Sequence, residues 1–507
     1  MSRLPNEPCR RRVFAPALAA LAAAGCAVGP QFVPPAPALP ADASHPYTAA
    51  PLPARTASAP GPGGSAQRLD AALDVPALWW ELFRSPALDA LVRSALERSP
   101  TLAAADAALR QAQALQAAGA ASGLWPSVGG SAGLVRQRSS QAASGVPGGT
   151  VYTLYNASVA VSYQVDAFGA TRRTLEALQA VVDAQRWQLE AARLALSANV
   201  VTAAIQDAAL RAQIDATRSV IAAQRRVLAL VERQQAAGAV TLAAVLAQRT
   251  LLAQTEAALP PLEKARAHNR QLLAVVAGRL PAEAGLPEFD LDGLQLPEAL
   301  PLSLPSALVR QRPDIRASEA LLHQASAQLG VAAASLYPQI TLSGSAGLQS
   351  LTADRLFERS AAAWSLGAGL LEPIFNRDAL RAREQAAQAA LEQADAQYRQ
   401  TVLQAFLDVA RTLQALHSDA QALHTQAEAE TLAQRTLELV QAQQRAGAVS
   451  VLALLDAQRA LQQTRVGRVQ AQAARLADSA ALFQALGGGW WNRAPAAAAS
   501  ATQAASN

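Results

Sequence analysis

The side chains that most often perform chemistry are sparse in this 507-residue chain, and none of them is arranged as a catalytic or metal site. Of the five histidines, only His417 and His424 can share one face of a helix, and no Asp, Glu or Cys accompanies them at metal-ligand spacing. The sequence also has no glycine-rich nucleotide loop, nucleophile elbow or pair of catalytic carboxylates. It therefore predicts neither an enzyme nor a protein with a metal or another cofactor.

The composition argues against a nucleic-acid partner. The net charge is +5, but Arg3, Arg10, Arg11 and Arg12 all lie in the first dozen residues, and no Lys/Arg block follows them. Charged residues make up only 16% of the chain and aromatic residues 4%. This profile is typical of long, alanine-rich coiled helices rather than of a globular enzyme.

The longest element extends from Gly169 to about Ala237, a stretch built from strong helix formers without proline. An apolar residue recurs every seven positions along it: Leu175, Val182, Leu189, Leu196, Ala203 and Leu210. This spacing predicts a helix of roughly 100 Å that coils against neighbouring helices.

The chain contains an internal duplication. LVERQQAAGAVTLAAVL at 230–246 returns as LVQAQQRAGAVSVLALL at 439–455, and SGLWPSVGGSAGL at 122–134 matches ASLYPQITLSGSAGL at 334–348. Because the same segments occur twice in the same order, we expect two copies of one structural unit.

Each copy also contains two segments in which apolar and polar residues alternate, the clearest of them from Tyr155 to Val165. Their length of roughly ten residues matches a membrane-spanning strand. Four strands cannot close a barrel, and open sheet edges are unstable in lipid, so at least two chains must share one barrel. The alternative is a soluble hairpin that packs on helices.

The predicted fold is mainly α with a small β part, in two tandem repeats of helices, a β-hairpin and a long α-hairpin. A signal peptide, a proline- and alanine-rich tether and a disordered tail flank the repeats. The predicted segments are 1–25 (signal peptide), 26–75 (tether), 76–278 (first repeat, with a β-hairpin at about 127–165 and an α-hairpin at 169–278), 279–304 (crossing), 305–487 (second repeat, with a β-hairpin at about 338–373 and an α-hairpin at 377–487) and 488–507 (tail).

The N-terminus resembles a bacterial lipoprotein signal. A basic start and a short apolar stretch end in small residues before Cys26, which would be lipidated and become the first residue of the mature chain. Ala27 rather than Asp follows the cysteine, which favours the outer membrane. The alternative is an ordinary signal peptide in which Cys26 has no role.

Four features together resemble one family: CAVGPQFVPP at 26–35, LWWELF at 78–83, the duplicated hairpin entries and LEPIFNRDALRA at 371–382. The family is that of the TolC-like, NodT-type outer-membrane efflux channel lipoproteins. The resemblance implies a homotrimer with a twelve-stranded outer-membrane barrel on a twelve-helix periplasmic tunnel. It also implies passive conduction of drugs or other small molecules from a periplasmic adaptor and an inner-membrane transporter of the resistance–nodulation–division class.

The resemblance further implies two sites. The ends of the two α-hairpins would contact the adaptor through Gly238, Val240, Thr241, Gly447, Val449 and Ser450. Asp456 would form a cation-selective ring where the tunnel narrows, next to Ala453, where some relatives carry a second acid. The alternative is that Asp456 is simply exposed or pairs with Arg459 on its own helix.

Two other classes of protein share some of these features. A trimeric coiled-coil surface stalk or adhesin explains the long helices but not the duplicated β-hairpins. A periplasmic adaptor lipoprotein explains a lipid anchor and one α-hairpin, but it should have only one such hairpin and a lipoyl-like β-domain.

Overall fold

The computed structural model of the chain describes residues 28–35, 47–48, 52–145, 147–283, 285–303 and 305–493. The predicted signal peptide and Cys26 lie outside these ranges. The described part is mostly helical with a small sheet part, which confirms the predicted fold class at that level. None of its helices combines the length and the apolar character needed to cross a bilayer.

The helices begin where the sequence offers a start signal. Four of them have proline as their first residue, a position where its missing N–H costs nothing. The helices longer than one turn are α1 Pro86–Arg98, α2 Pro100–Leu124, α3 Ala170–Ala236, α4 Leu242–Ala257, α5 Leu259–Val276, α6 Pro305–Gln311, α7 Pro313–Ala334, α8 Arg377–Arg445 and α9 Val451–Ala485.

The strands form two sheets. They are β1 Arg68–Asp70, β2 Ser127–Ser139, β3 Thr150–Val165, β4 Ala299–Pro301, β5 Gln339–Ser350 and β6 Ala362–Leu371. The first and fourth strands pair in parallel, and the other four form one antiparallel sheet in the order β2-β3-β5-β6. The β-hairpins of the two repeats therefore join side by side through β3 and β5.

Two local predictions need correction. The apolar residues Trp79, Trp80 and Phe83 after Pro76 predict the start of one amphipathic helix, but Trp79–Phe83 is a 3₁₀ turn separated from α1. Arg84 between them has a φ of 49°, so the backbone turns before Ser85 caps the new helix. The tail predicted to be disordered from residue 488 is ordered through Arg493, because the Trp490 indole donates to Gln311 O at 2.6 Å and packs on Trp187.

The two sequence repeats are not the two compact units of the structure. One unit comprises residues 28–35, 108–186 and 317–398, and the other comprises residues 52–107, 187–316 and 399–493. Each unit thus takes a part from both repeats, because elements of one repeat also pack with those of the other, as β3 does with β5.

The first unit holds the four-stranded sheet and anchors the N-terminal segment 28–35. The Arg173 guanidinium donates to Val28 O and Gly29 O and pairs with Glu176 at 2.7 Å. Glu176 also contacts His323 Nε2 at 2.8 Å, and Phe32 stacks on that imidazole. Burial acts to raise the pKa of Glu176, but the hydrogen bonds from His323 and Arg173 outweigh it and lower the pKa overall.

The second unit holds the larger apolar core. Trp79, Phe83 and Leu308 from the segments that precede the α-hairpins meet Phe483 from α9 there, and the Trp79 and Phe483 rings lie 5.6 Å apart. Burial of side chains of this size stabilises the fold by about 2–3 kcal/mol each. This core holds residues 75–95 and the ends of both α-hairpins together.

Candidate functional site

The two α-hairpin tips have the same backbone geometry. Gly238 and Gly447 have φ values of 76° and 74°, a left-handed conformation that favours glycine. In the first tip, the N–H of Gly238 donates to Gln235 O and that of Ala239 donates to Gln234 O, which completes a Schellman motif. The second tip has the same two hydrogen bonds, from Gly447 N–H to Gln444 O and from Ala448 N–H to Gln443 O. The glycines therefore end α3 and α8 and let the chain reverse.

Thr241 and Ser450 precede α4 and α9, the second helix of each α-hairpin, and their hydroxyl groups do not bond to those helices. Thr241 and Ser450 have extended backbone conformations typical of N-caps, yet neither side chain caps its helix. Both residues are exposed. Two hydroxyl groups therefore remain available to a partner at the tips.

The structure brings the two tips together within one chain. They border a cavity of about 630 Å³. Five of the six predicted tip residues line it, and Gly238 does not; the five are Val240, Thr241, Gly447, Val449 and Ser450. The other lining residues include small and apolar ones: Ala243, Ala244, Ala247, Leu452 and Leu455. The cavity thus has an apolar floor and a polar rim, to which Gln234, Gln444 and Arg445 also belong.

Asp456 lies on α9, close to the second tip. Its side chain is 65% exposed, and its carboxylate is 3.7 Å from the Arg459 guanidinium. Within a single chain, Asp456 is therefore both exposed and paired with Arg459 on its own helix. A ring of such carboxylates needs further copies of the chain.

The four-stranded sheet has one apolar and one polar face. Val161, Leu342 and Leu366 lie on the first face and border a cavity of about 630 Å³. On the other face, serine hydroxyl groups form hydrogen bonds across the strands, at 3.1 Å between Ser131 and Ser158 and at 2.8 Å between Ser345 and Ser365. The apolar face is open to the surroundings, since Leu366 is 81% exposed.

The histidines form no metal site in the described part of the chain. His417 and His424 share one face of α8, as predicted, but each contacts a backbone carbonyl oxygen, those of Pro53 and Ser58. The sequence predicts that the proline-rich tether runs along the body of the protein, with disorder as the alternative. Residues 52–70 do lie against the second α-hairpin, but their looped shape and the helices that they contact were not predicted.

The chain is similar to known proteins along most of its length. It matches the family model described as Outer membrane efflux protein over residues 91–279 and 304–488. The chain belongs to the outer membrane efflux protein family. Its relatives include the pyoverdine export outer membrane protein OpmQ of Pseudomonas aeruginosa, which is 35% identical over 81% of this chain and 87% of that protein.

Other relatives are similar to this chain over a larger share of its length. The solvent efflux pump outer membrane protein SrpC of Pseudomonas putida is 28% identical over 94% of this chain and 98% of that protein. The solved structure of the outer-membrane channel OprN is 29% identical with a TM-score of 0.82, and it covers 92% of this chain and 100% of that one. The Neisseria gonorrhoeae MtrE outer membrane channel in its open state is 26% identical with a TM-score of 0.76, over 92% and 99% of the two chains.

These matches establish the function of the chain at the level of the system. It is the outer-membrane channel component of a tripartite efflux system. Proteins of this family are channels rather than enzymes. The exposed apolar sheet face and the paired α-hairpin tips are accordingly the two candidate functional sites.

Proposed function

We propose that three copies of this chain assemble into one conduit, with a barrel of twelve strands in the outer membrane and a tunnel of twelve helices in the periplasm. The conduit conducts its cargo passively, and the energy for transport comes from the inner-membrane transporter. One observation carries the proposal: a four-stranded sheet whose apolar face is exposed and whose outermost strands, β2 and β6, have no further pairing among the described residues. Open edges are not stable in lipid, so the sheet needs copies of itself to close.

The tips are proposed to bind a periplasmic adaptor that works with an inner-membrane transporter of the resistance–nodulation–division class. The apolar floor of the tip cavity and its small residues fit a helical hairpin, because small side chains let helix backbones approach closely. The hydroxyl groups of Thr241 and Ser450 give the rim hydrogen-bonding groups that do not cap the helices they precede.

The cargo is proposed to be small molecules supplied by that transporter. Two of the relatives are named for pyoverdine export and solvent efflux, which are chemically dissimilar cargoes. A permissive conduit agrees with the polar face of the sheet, where serine and glycine predominate. Lipidation of Cys26 is proposed as an additional attachment of each chain to the outer membrane, and Asp456 as the ring that makes the tunnel prefer cations.

Two neighbouring substitutions on β6 test the assembly. Leu366→Arg places a charge on the apolar face, which costs about 2–4 kcal/mol per chain at the middle of a bilayer. Ser365→Arg places the same charge on the polar face one residue away. We expect Leu366→Arg to abolish the trimer in outer-membrane fractions, measured as a band that shifts on boiling in gel electrophoresis, and Ser365→Arg to retain it.

The comparison has a clear opposing result. Equal trimer formation by both variants would show that the apolar face does not contact lipid. A wild-type protein that is monomeric after extraction, as measured by light scattering, would contradict the conduit itself.

A further inference from the structure

The N-terminal arm, defined as residues 52–70, is a folded loop in the second unit. Its two limbs hydrogen-bond to each other: Thr56 N–H donates to Gln67 O at 2.9 Å, and Leu69 N–H donates to Ala54 O at 3.1 Å. Ala59 N–H donates to Gly64 O across the turn. The arm therefore has a defined shape of its own, although proline and glycine dominate its turn.

The second α-hairpin, formed by α8 and α9, holds the arm mainly through its backbone oxygen atoms. The contacts are His417 Nε2 to Pro53 O at 2.8 Å, His424 Nδ1 to Ser58 O at 2.7 Å, and the Arg475 guanidinium to Gly63 O at 3.0 Å, Ser65 O at 2.6 Å and Thr56 Oγ1 at 3.0 Å. All five acceptors belong to the arm. Four of them are backbone carbonyl oxygens, so this surface recognises the arm mainly by its main chain.

Arg475 is the centre of this surface. It is 0% exposed, and the described residues place no carboxylate at ion-pair distance from it. Burial alone lowers its pKa to about 10, and its Nε atom has no acceptor. A buried cation is costly unless polar groups replace the water that it loses. The oxygen atoms of the arm are the groups that do so here.

The first repeat satisfies the corresponding arginine in a different way. Arg266 precedes Arg475 by the same spacing that separates Gly238 from Gly447. It contacts the buried carboxylate of Asp207 at 3.2 Å, and Arg270 contacts the same carboxylate at 3.3 Å. At that spacing from Asp207, the second repeat has Leu416, which is fully buried. The second copy of the arginine has lost its acid.

We infer that the second α-hairpin carries a binding site for a looped, proline- and glycine-rich peptide, centred on Arg475 and filled by the N-terminal arm of the same chain. The arm supplies the oxygen ligands that Asp207 supplies in the first repeat. The second α-hairpin therefore depends on the arm for its stability, whereas the first does not.

Hydrogen–deuterium exchange of the full-length protein tests this inference. Arg475→Met removes the guanidinium and keeps most of the apolar volume. We expect amide exchange in residues 52–70 to become at least tenfold faster, with the sharpest change at Thr56, Ala59 and Leu69. The matched control is Arg270→Met, because Arg270 donates to Leu286 O and Pro287 O next to the first α-hairpin. This control should loosen that segment and leave the arm unchanged.

Two further variants keep the test decisive if Arg475→Met does not fold. His424→Leu removes the contact to Ser58 O without any change in the arm and should speed exchange of the arm several-fold. Leu416→Asp offers the guanidinium a carboxylate, as in the first repeat, and should release the arm in the same way. Unchanged exchange of the arm in these variants would overturn the inference, as would equal loosening of the arm by Arg270→Met. Trimer formation is recorded separately, so failure of the conduit proposal would be distinguishable.

Discussion

At the scale of single residues, two carboxyl groups face each other between the helices of the second α-hairpin. Burial, together with the hydrogen bond to Asp419 and its charge, raises the pKa of Asp478 to about 7. Its Oδ2 atom is buried and has no hydrogen-bond partner among the described residues. Two carboxylates this close cannot both ionise without repulsion, so the pair retains one proton near neutral pH.

This pair predicts a pH dependence of stability. The folded chain holds the Asp478 proton up to about pH 7, whereas the ordinary value is 3.8. Its contribution to stability is therefore greatest at acidic pH and is lost as the pH rises between these two values. We expect Asp478→Asn to be more stable than the wild type by about 1 kcal/mol at pH 8, a figure discounted for partial exposure, and to show little gain at pH 4.

Thermal unfolding in detergent across this pH range measures the difference. Asp378→Asn is the control, because that side chain is 97% exposed and its change should leave the curve parallel to the wild-type curve. A wild-type minus Asp478→Asn difference that does not vary with pH would contradict the shared proton.

At the scale of elements, each α-hairpin depends on a glycine that ends one helix, and the glycine of the second tip, Gly447, also borders the tip cavity. A Cβ atom added at Gly447 would meet no other atom within 4 Å, so the only cost of alanine there is its left-handed backbone. That cost is about 1–2 kcal/mol. The structural and the partner-binding roles of the tip can therefore be separated by the size of the new side chain.

We expect Gly447→Ala to lower stability slightly and to retain transport. Gly447→Trp has the same backbone cost but adds bulk to the tip, so it should form normal trimers and lose transport. The measurement is the drug resistance of a host that lacks its own outer-membrane channel, with trimer amounts determined in parallel. Full resistance with Gly447→Trp would count against adaptor contact at this tip.

At the scale of the whole molecule, selectivity depends on symmetry. One Asp456 side chain beside Arg459 is an ordinary exposed pair and contributes little to stability. Three copies around one axis would instead concentrate negative potential where the tunnel narrows. The proposed role of this carboxylate in cation selectivity therefore requires the assembled conduit.

Planar-bilayer recordings test this role. In a salt gradient, Asp456→Ala should shift the reversal potential toward lower cation preference, whereas Arg459→Ala should shift it the opposite way because it removes the neutralising partner. Identical reversal potentials for the wild type and both variants would show that selectivity is determined elsewhere.

Local chemistry made part of the fold predictable. The helix predicted at 377–445 is present as α8 with those bounds, because a run of strong helix formers ends at a glycine. Alternation located β3, β5 and β6 in the same way, whereas β2 is rich in glycine and serine and its alternation is weaker. The 3₁₀ turn at Trp79–Phe83 was not predictable, since its apolar residues also fit a helix and only the core around Phe483 determines how they pack.

The sequence by itself determined the duplication, the long helices, the alternating strands and the family, because each of these depends on residues that are close in the chain or on repeated order. Only the tertiary structure showed that each compact unit contains parts of both repeats. It also showed that residues 52–70 contact the second α-hairpin. Those features arise from contacts between residues that are distant in sequence, such as Arg475 and Ser65. Leu416 occupies the position in the second repeat that Asp207 occupies in the first, and the consequence is visible only when the surroundings of Arg266 and Arg475 are compared.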